Sequence, residues 1–133
     1  MKSMRTIARY AVATVLLSPA SIALADIQGE IQHLLQYIEN SGCEFERNGT
    51  VYDAKEARSH IERKYNHVKK HVDATEDFIK YAATESSISG RKYHVTCSGS
   101  KQASAEWLNN ELALYRDKSS DAVDMHNESA IER

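Results

Sequence analysis

The sequence predicts an α+β domain: four helices packed with a small antiparallel sheet, a hairpin plus one strand, held by one disulfide. Three observations point there. Apolar residues recur at helical spacing in four separate segments. Asn48-Gly49 follows a short alternating stretch that starts at Phe45, and Asn-Gly is the strongest two-residue hairpin signal because both positions tolerate positive φ. Tyr93, Val95 and Cys97 alternate with Lys92, His94 and Thr96, the period of a half-buried strand.

The elements follow in order. Ile27, Ile31, Leu34, Leu35 and Ile38 make residues 26–41 an amphipathic helix, with Gly42 as its C′ residue. Thr50, Val51 and Tyr52 form the return strand of the hairpin. Asp53 and Glu56 have capping-box spacing, and Ala57, Ile61, Tyr65, Val68 and Val72 form the stripe of a long second helix. Asp73 and Glu76 repeat that spacing before a short third helix that buries Phe78, Ile79, Ala82 and Ala83. Residues 86–90 are a polar turn, and residues 98–102 read as a loop. Ser104 is placed to cap a fourth helix carrying Trp107, Leu108, Leu112 and Tyr115. From Asp117 the periodicity is lost, so 117–133 is expected to be a disordered polar tail.

The N-terminus reads as a targeting segment. Lys2, Arg5 and Arg9 precede an apolar run at 10–17, then Pro19 and an Ala23-Leu24-Ala25 cleavage pattern. The run is shorter than the roughly 20 apolar residues a bilayer span needs. Residues 1–25 are therefore expected to be a cleaved signal peptide, and 26–116 a single domain with no membrane span. Loss of three basic residues leaves 14 Lys and Arg against 19 Asp and Glu, a net charge of −5. That balance argues against nucleic-acid binding, which needs a basic face. Cys43 and Cys97 both lie in the exported part, and an even pair in an oxidising compartment reads as a disulfide. Their pairing makes the hairpin and the last strand neighbours in the sheet.

The sequence offers few catalytic signatures. It has no nucleophile elbow around Ser86, Ser87 or Ser89, and no phosphate-cradling glycine loop. Of the six histidines, only His67 and His71 have the i,i+4 spacing that lets two imidazoles share an ion; His60 lies about 10 Å from His67 along a helix. The simpler reading of this trio is a wet helix flank, so no metal or other cofactor is assigned. Asn48-Gly49-Thr50 also matches a glycosylation sequon, which the hairpin role explains more simply. One oddity remains. Glu56, His60 and Lys64 stack along the edge of the apolar stripe of the second helix. A lysine at such an edge commonly snorkels. The sharper reading is a polar pocket between this helix and the hairpin, with Arg47 projecting into it.

These residues carry a resemblance. Phe45-Glu46-Arg47-Asn48-Gly49, Glu56-Ala57, Ser59-His60-Ile61 with Lys64, then Asp73, Glu76, Phe78-Ile79, and Ser86-Ser87-Ile88-Ser89-Gly90 with Tyr93 and Val95 together resemble the YfeK-like family of small exported proteobacterial proteins of unknown function. The likeness spans about residues 27–115. It implies a periplasmic location and supplies no catalytic residues. Within the shared blocks, Arg47, His60, Lys64, Ser86, Ser87 and Tyr93 are the residues that core packing and turn chemistry explain least, and they form the candidate binding site. The leading expectation is a non-enzymatic periplasmic binding or accessory protein for a protein, peptide or envelope-glycan ligand, an inhibitor or immunity-type protein being one version. The alternatives are a small cell-envelope hydrolase using a cleft near His60, and metal handling through His67 and His71.

Overall fold

The computed structural model describes residues 20–131, with side chains described for residues 26–126 and 128. Most of the expected leader lies outside these residues. The order is α1 (Ala20–Asn40), β1 (Glu44–Arg47), β2 (Thr50–Tyr52), α2 (Ala54–Val68), a 3-10 turn (Lys69–His71), α3 (Thr75–Ala82), β3 (His94–Cys97), β4 (Ser100–Ala103) and α4 (Ser104–Ile131). Four helices and an antiparallel sheet make this an α+β fold.

The sheet has four strands in the order β2-β1-β3-β4. Its centre is the pairing that the cysteines imply: Glu44 lies opposite Thr96 and Phe45 opposite Val95, and the Cys43–Cys97 disulfide closes the end of that ladder. The fourth strand is a departure from the expected loop at 98–102. Ser98 and Gly99 have φ of 50° and 78°, nearly the same geometry as Asn48 and Gly49 at 51° and 78°. The two hairpins therefore turn alike. Positive φ at both central residues matches the twist of the flanking strands, and glycine accepts it without the Cβ clash.

Phe45 and Val95 face the helices and join Leu34, Leu35, Ile61 and Leu108 in one buried cluster. Trp107 packs edge-on against Phe45, with ring centroids 5.6 Å apart. Burial of this apolar surface is the main stabilising contribution. Asp53 caps α2 as expected: its carboxylate accepts from Glu56 N at 2.9 Å, and the Glu56 carboxylate accepts from Asp53 N at 3.2 Å.

Four local readings need correction. The long second helix ends at Val68, and the 3-10 turn carries the chain on to Val72, which still packs against the core. The α3 cap is not the Asp73–Glu76 pair. Asp77 reaches back instead, accepting from Asp73 N at 3.0 Å and Ala74 N at 3.1 Å. Ser104 is not a side-chain cap either, because its Oγ is buried with no hydrogen-bond partner among the described residues. Finally, α4 continues through the expected tail to Ile131. Ser104 to Ile131 contains neither Gly nor Pro to stop it. From Arg116 to His126 every residue is exposed, which explains why no apolar period marks it.

Candidate functional site

β1 and α2 meet the N-terminal approach to β3 in a cleft of about 340 Å³. Strand alternation puts Phe45 and Arg47 on one face of β1, the face turned to α2. The hairpin register pairs Phe45 with Tyr52 and Arg47 with Thr50, so Tyr52 is diagonal to Arg47. The Arg47 guanidinium accordingly lies 4.5 Å from the Tyr52 ring centroid, within cation–π reach. From α2, His60 and Lys64 project one turn apart toward the same side. Tyr93 completes the group from the residue before β3, with its ring buried.

These four side chains form one hydrogen-bonded row. Arg47 Nη1 meets His60 Nδ1. His60 Nε2 lies 3.2 Å from the Tyr93 hydroxyl, and Lys64 Nζ donates to the same hydroxyl at 3.2 Å. Lys64 also donates to the Glu85 carbonyl at 2.6 Å. The row settles its own protons. A guanidinium only donates, so His60 Nδ1 accepts and Nε2 carries the hydrogen. His60 Nε2–H then donates to Tyr93, whose oxygen accepts from both sides.

The electrostatics follow from this packing. Burial pushes His60 down first, with Arg47, Lys64 and Arg63 adding repulsion, to a pKa of about 4. Burial likewise lowers the Lys64 amine below the usual lysine range and raises the Tyr93 phenol. His60 is thus neutral at physiological pH. An NMR titration of its ring protons is expected to show a midpoint near 4, and a midpoint at the ordinary histidine value of 6.5 would disprove the row. Because its folded pKa is depressed and the unfolded chain takes up the proton more readily, His60 costs stability as pH falls from 6.5 toward 4.

The structure places Ser86 and Ser87 differently. Ser86 Oγ is a loop hub: it accepts from Ile88 N and Ser89 N at 3.3 Å and from Asn48 Nδ2 at 3.3 Å. Ser89 Oγ returns a bond to Asn48 Oδ1 at 2.6 Å. This pair of contacts fastens the loop to the first hairpin turn, so Ser86 holds structure beside the cleft. Ser87 is exposed and does not line it. Conversely, Tyr52 and Ser104 line the cleft without having been named as site residues from the sequence. Tyr52 was reachable through the Asn-Gly register. Ser104 carries no local signal, since only the pairing of β3 with β4 brings it there.

His67 and His71 are both exposed, and the end of α2 at Val68 leaves them on different elements. Among the described residues no group of three His, Cys, Asp or Glu side chains is arranged to hold a metal ion. No described helix is long and apolar enough to cross a membrane.

The molecule is thus a small disulfide-tied α+β domain with a cationic cleft. A family model described as a family of unknown function, DUF5329, matches residues 25–116, and the chain belongs to that family. It is similar to the uncharacterized protein YfeK of Salmonella typhimurium, with 39% identity over 49 residues. That stretch is 37% of this chain and spans 41% of the relative's length. No solved structure matches.

Proposed function

We propose that this protein is an exported, periplasmic, non-enzymatic binding protein that takes its ligand in the cleft between the first hairpin and α2. One observation carries the reading: Arg47 lines the cleft and Lys64 adjoins it through the Tyr93 hydroxyl, both half-buried, and among the described residues no carboxylate lies within ion-pair distance of either. Partly desolvated cations without a contact ion pair are costly to hold and mark candidate sites, the Glu85 carboxylate acting on Lys64 only from beyond contact. The leader pattern and the Cys43–Cys97 disulfide support export to an oxidising compartment.

Binding fits the row better than hydrolysis does. A general base needs a free lone pair within reach of its substrate. The lone pair of His60 at Nδ1 is taken by Arg47, and its other nitrogen is committed to Tyr93. His60 therefore fixes Arg47 and Tyr93 in place.

The test is retention from periplasmic extract. Oxidised protein spanning 26–133 is compared with an Arg47→Ala/His60→Ala/Lys64→Ala variant of matched melting temperature. A protein, peptide or glycan held by the parent and lost by the variant is the expected result. Identical recovery by both, or turnover of envelope fragments that His60→Ala abolishes, would overturn the reading.

A further inference from the structure

The cleft holds more hydrogen-bond donors than acceptors. Arg47 spends one N–H on His60 and lays its face on Tyr52, leaving guanidinium donors without a carboxylate. The Tyr93 oxygen receives bonds from His60 and Lys64, so its own proton has no acceptor among the described residues. Ser104 lines the same cleft, is only 1% exposed, and its Oγ has no partner among the described residues. A buried hydroxyl left unpaired is costly and calls for an explanation.

The acids of the cleft do not supply the missing acceptors. Glu46 is bonded to Lys101 at 2.8 Å, and Glu56 is held in the α2 cap. The chain as a whole is acidic, yet this cleft presents cations and hydroxyl donors. Its remaining wall is apolar, built from Phe45, Ala57 and Ile61. A volume of about 340 Å³ far exceeds what an inorganic oxyanion fills. Lys55 and Arg63 also line the cleft but are exposed, where water screens them. One partly desolvated guanidinium with two neutral hydroxyls suits a single negative charge better than a dianion.

We propose that the hairpin–α2 cleft binds a small carboxylate with an apolar body, the carboxylate on Arg47 and Tyr93, the body against Phe45 and Ile61, and Ser104 donating from the wall. This rests on the binding-protein reading above and names the chemistry of its ligand.

Calorimetric titration of the oxidised protein with N-acetylphenylalanine, its neutral amide, acetate and inorganic phosphate tests it. The acid is expected to bind, and the amide to bind roughly tenfold to a hundredfold more weakly, the worth of a charge-assisted contact. Acetate and phosphate are expected to bind more weakly than the acid, because neither fills the apolar wall. Arg47→Gln should weaken the acid by a similar factor. Ser104→Ala is the second variant: it should keep or raise the melting temperature, by removing an unpaired buried hydroxyl, while weakening the acid. A purely structural Ser104 would show the reverse, a lowered melting temperature with affinity unchanged.

Equal binding of acid and amide, tighter binding of phosphate, or unchanged affinity in Ser104→Ala overturns the proposal. So does the failure of every probe to bind at millimolar concentration. If the probes fail while the extract ligand is still lost in the triple variant, the carboxylate assignment falls and the binding reading stands. If both fail, both fall.

Discussion

Removing the disulfide, by reductant or by Cys43→Ala/Cys97→Ala, is expected to lower the melting temperature by roughly 15–30 °C. The bond spans 54 residues of sequence. In the chain-entropy description, closing a loop of that length restricts the unfolded ensemble by about 4 kcal/mol. A small domain has only about 5–15 kcal/mol of stability in total. The position of the bond adds to the effect. It closes the ladder between β1 and β3, which pair through only Glu44, Phe45 and Glu46 on one side and His94, Val95 and Thr96 on the other. That ladder brings Arg47 on β1 within reach of Tyr93 before β3, with His60 between them. Loss of the bond therefore loosens the cleft as well as the fold. Thermal unfolding followed by circular dichroism, with and without reductant, measures it. A fall of less than about 5 °C, which is near 1 kcal/mol for a domain of this size, would show that the ladder holds without the crosslink.

The parts of the fold that were legible in the sequence obey local rules. Asn48-Gly49 declares a hairpin because positive φ is a property of those two residues alone. Asp53 and Glu56 declare a cap because the box is closed within four residues. Ser98-Gly99 adopts the same turn, yet β4 was read as loop. Its residues, Ser100-Lys101-Gln102-Ala103, sit on a sheet edge with the first two exposed, and a strand that buries so little carries no hydrophobic alternation. Val68 is half-buried and Val72 packs against the core, so the stripe looks continuous although the helix stops between them. Periodicity reports which residues face inward and is blind to a 3-10 turn that preserves the facing.

The site divides in the same way. Arg47, His60 and Lys64 stood out as polar groups on inward-turned positions, and each owes its direction to its own strand or helix. Tyr93 joined them through the blocks shared with the family, and the pairing of β1 with β3 is what sets it beside the hairpin. Ser86 was read as a site residue because a small polar residue in a motif looks the same whether it serves a ligand or a turn. Its contacts with Asn48, Ile88 and Ser89 assign it to the turn. Ser104 escaped because its isolation is a tertiary fact: the residue sits at the start of α4, where the pattern suggests a cap, and burial leaves its hydroxyl without a partner.

Arg116→Met is expected to cost roughly 2–3 kcal/mol near neutral pH, less than a fully buried ion pair would lose because the arginine is itself partly exposed. Glu30 on α1 is only 4% exposed. Its carboxylate accepts from Arg116 Nε at 2.7 Å and Nη2 at 2.9 Å, and from the Thr75 hydroxyl. Arg116 also bonds Glu76 at 2.5 Å, so one guanidinium ties α4 to both α1 and α3. The Arg116 bonds hold the Glu30 carboxyl below the usual carboxylate range, against the opposing effect of burial. A depressed folded pKa adds stability above the unfolded value of about 4.5, and that stability is lost as pH falls through the folded pKa. In the variant the balance inverts. Burial and the nearby Glu76 carboxylate then oppose only Thr75, the carboxyl is pushed above its unfolded value, and the penalty is relieved as protonation neutralises it. The gap between parent and variant should therefore be widest near neutral pH and narrow at about pH 4, below the ordinary carboxyl value of 4.5. Urea unfolding at the two pH values measures the gap. Glu30→Gln/Arg116→Met should recover part of the loss near neutral pH, because a neutral amide replaces the stranded charge. A gap that stays the same at both pH values, with no recovery in the double variant, would mean that Arg116 acts through the packing of its stem and not through its charge.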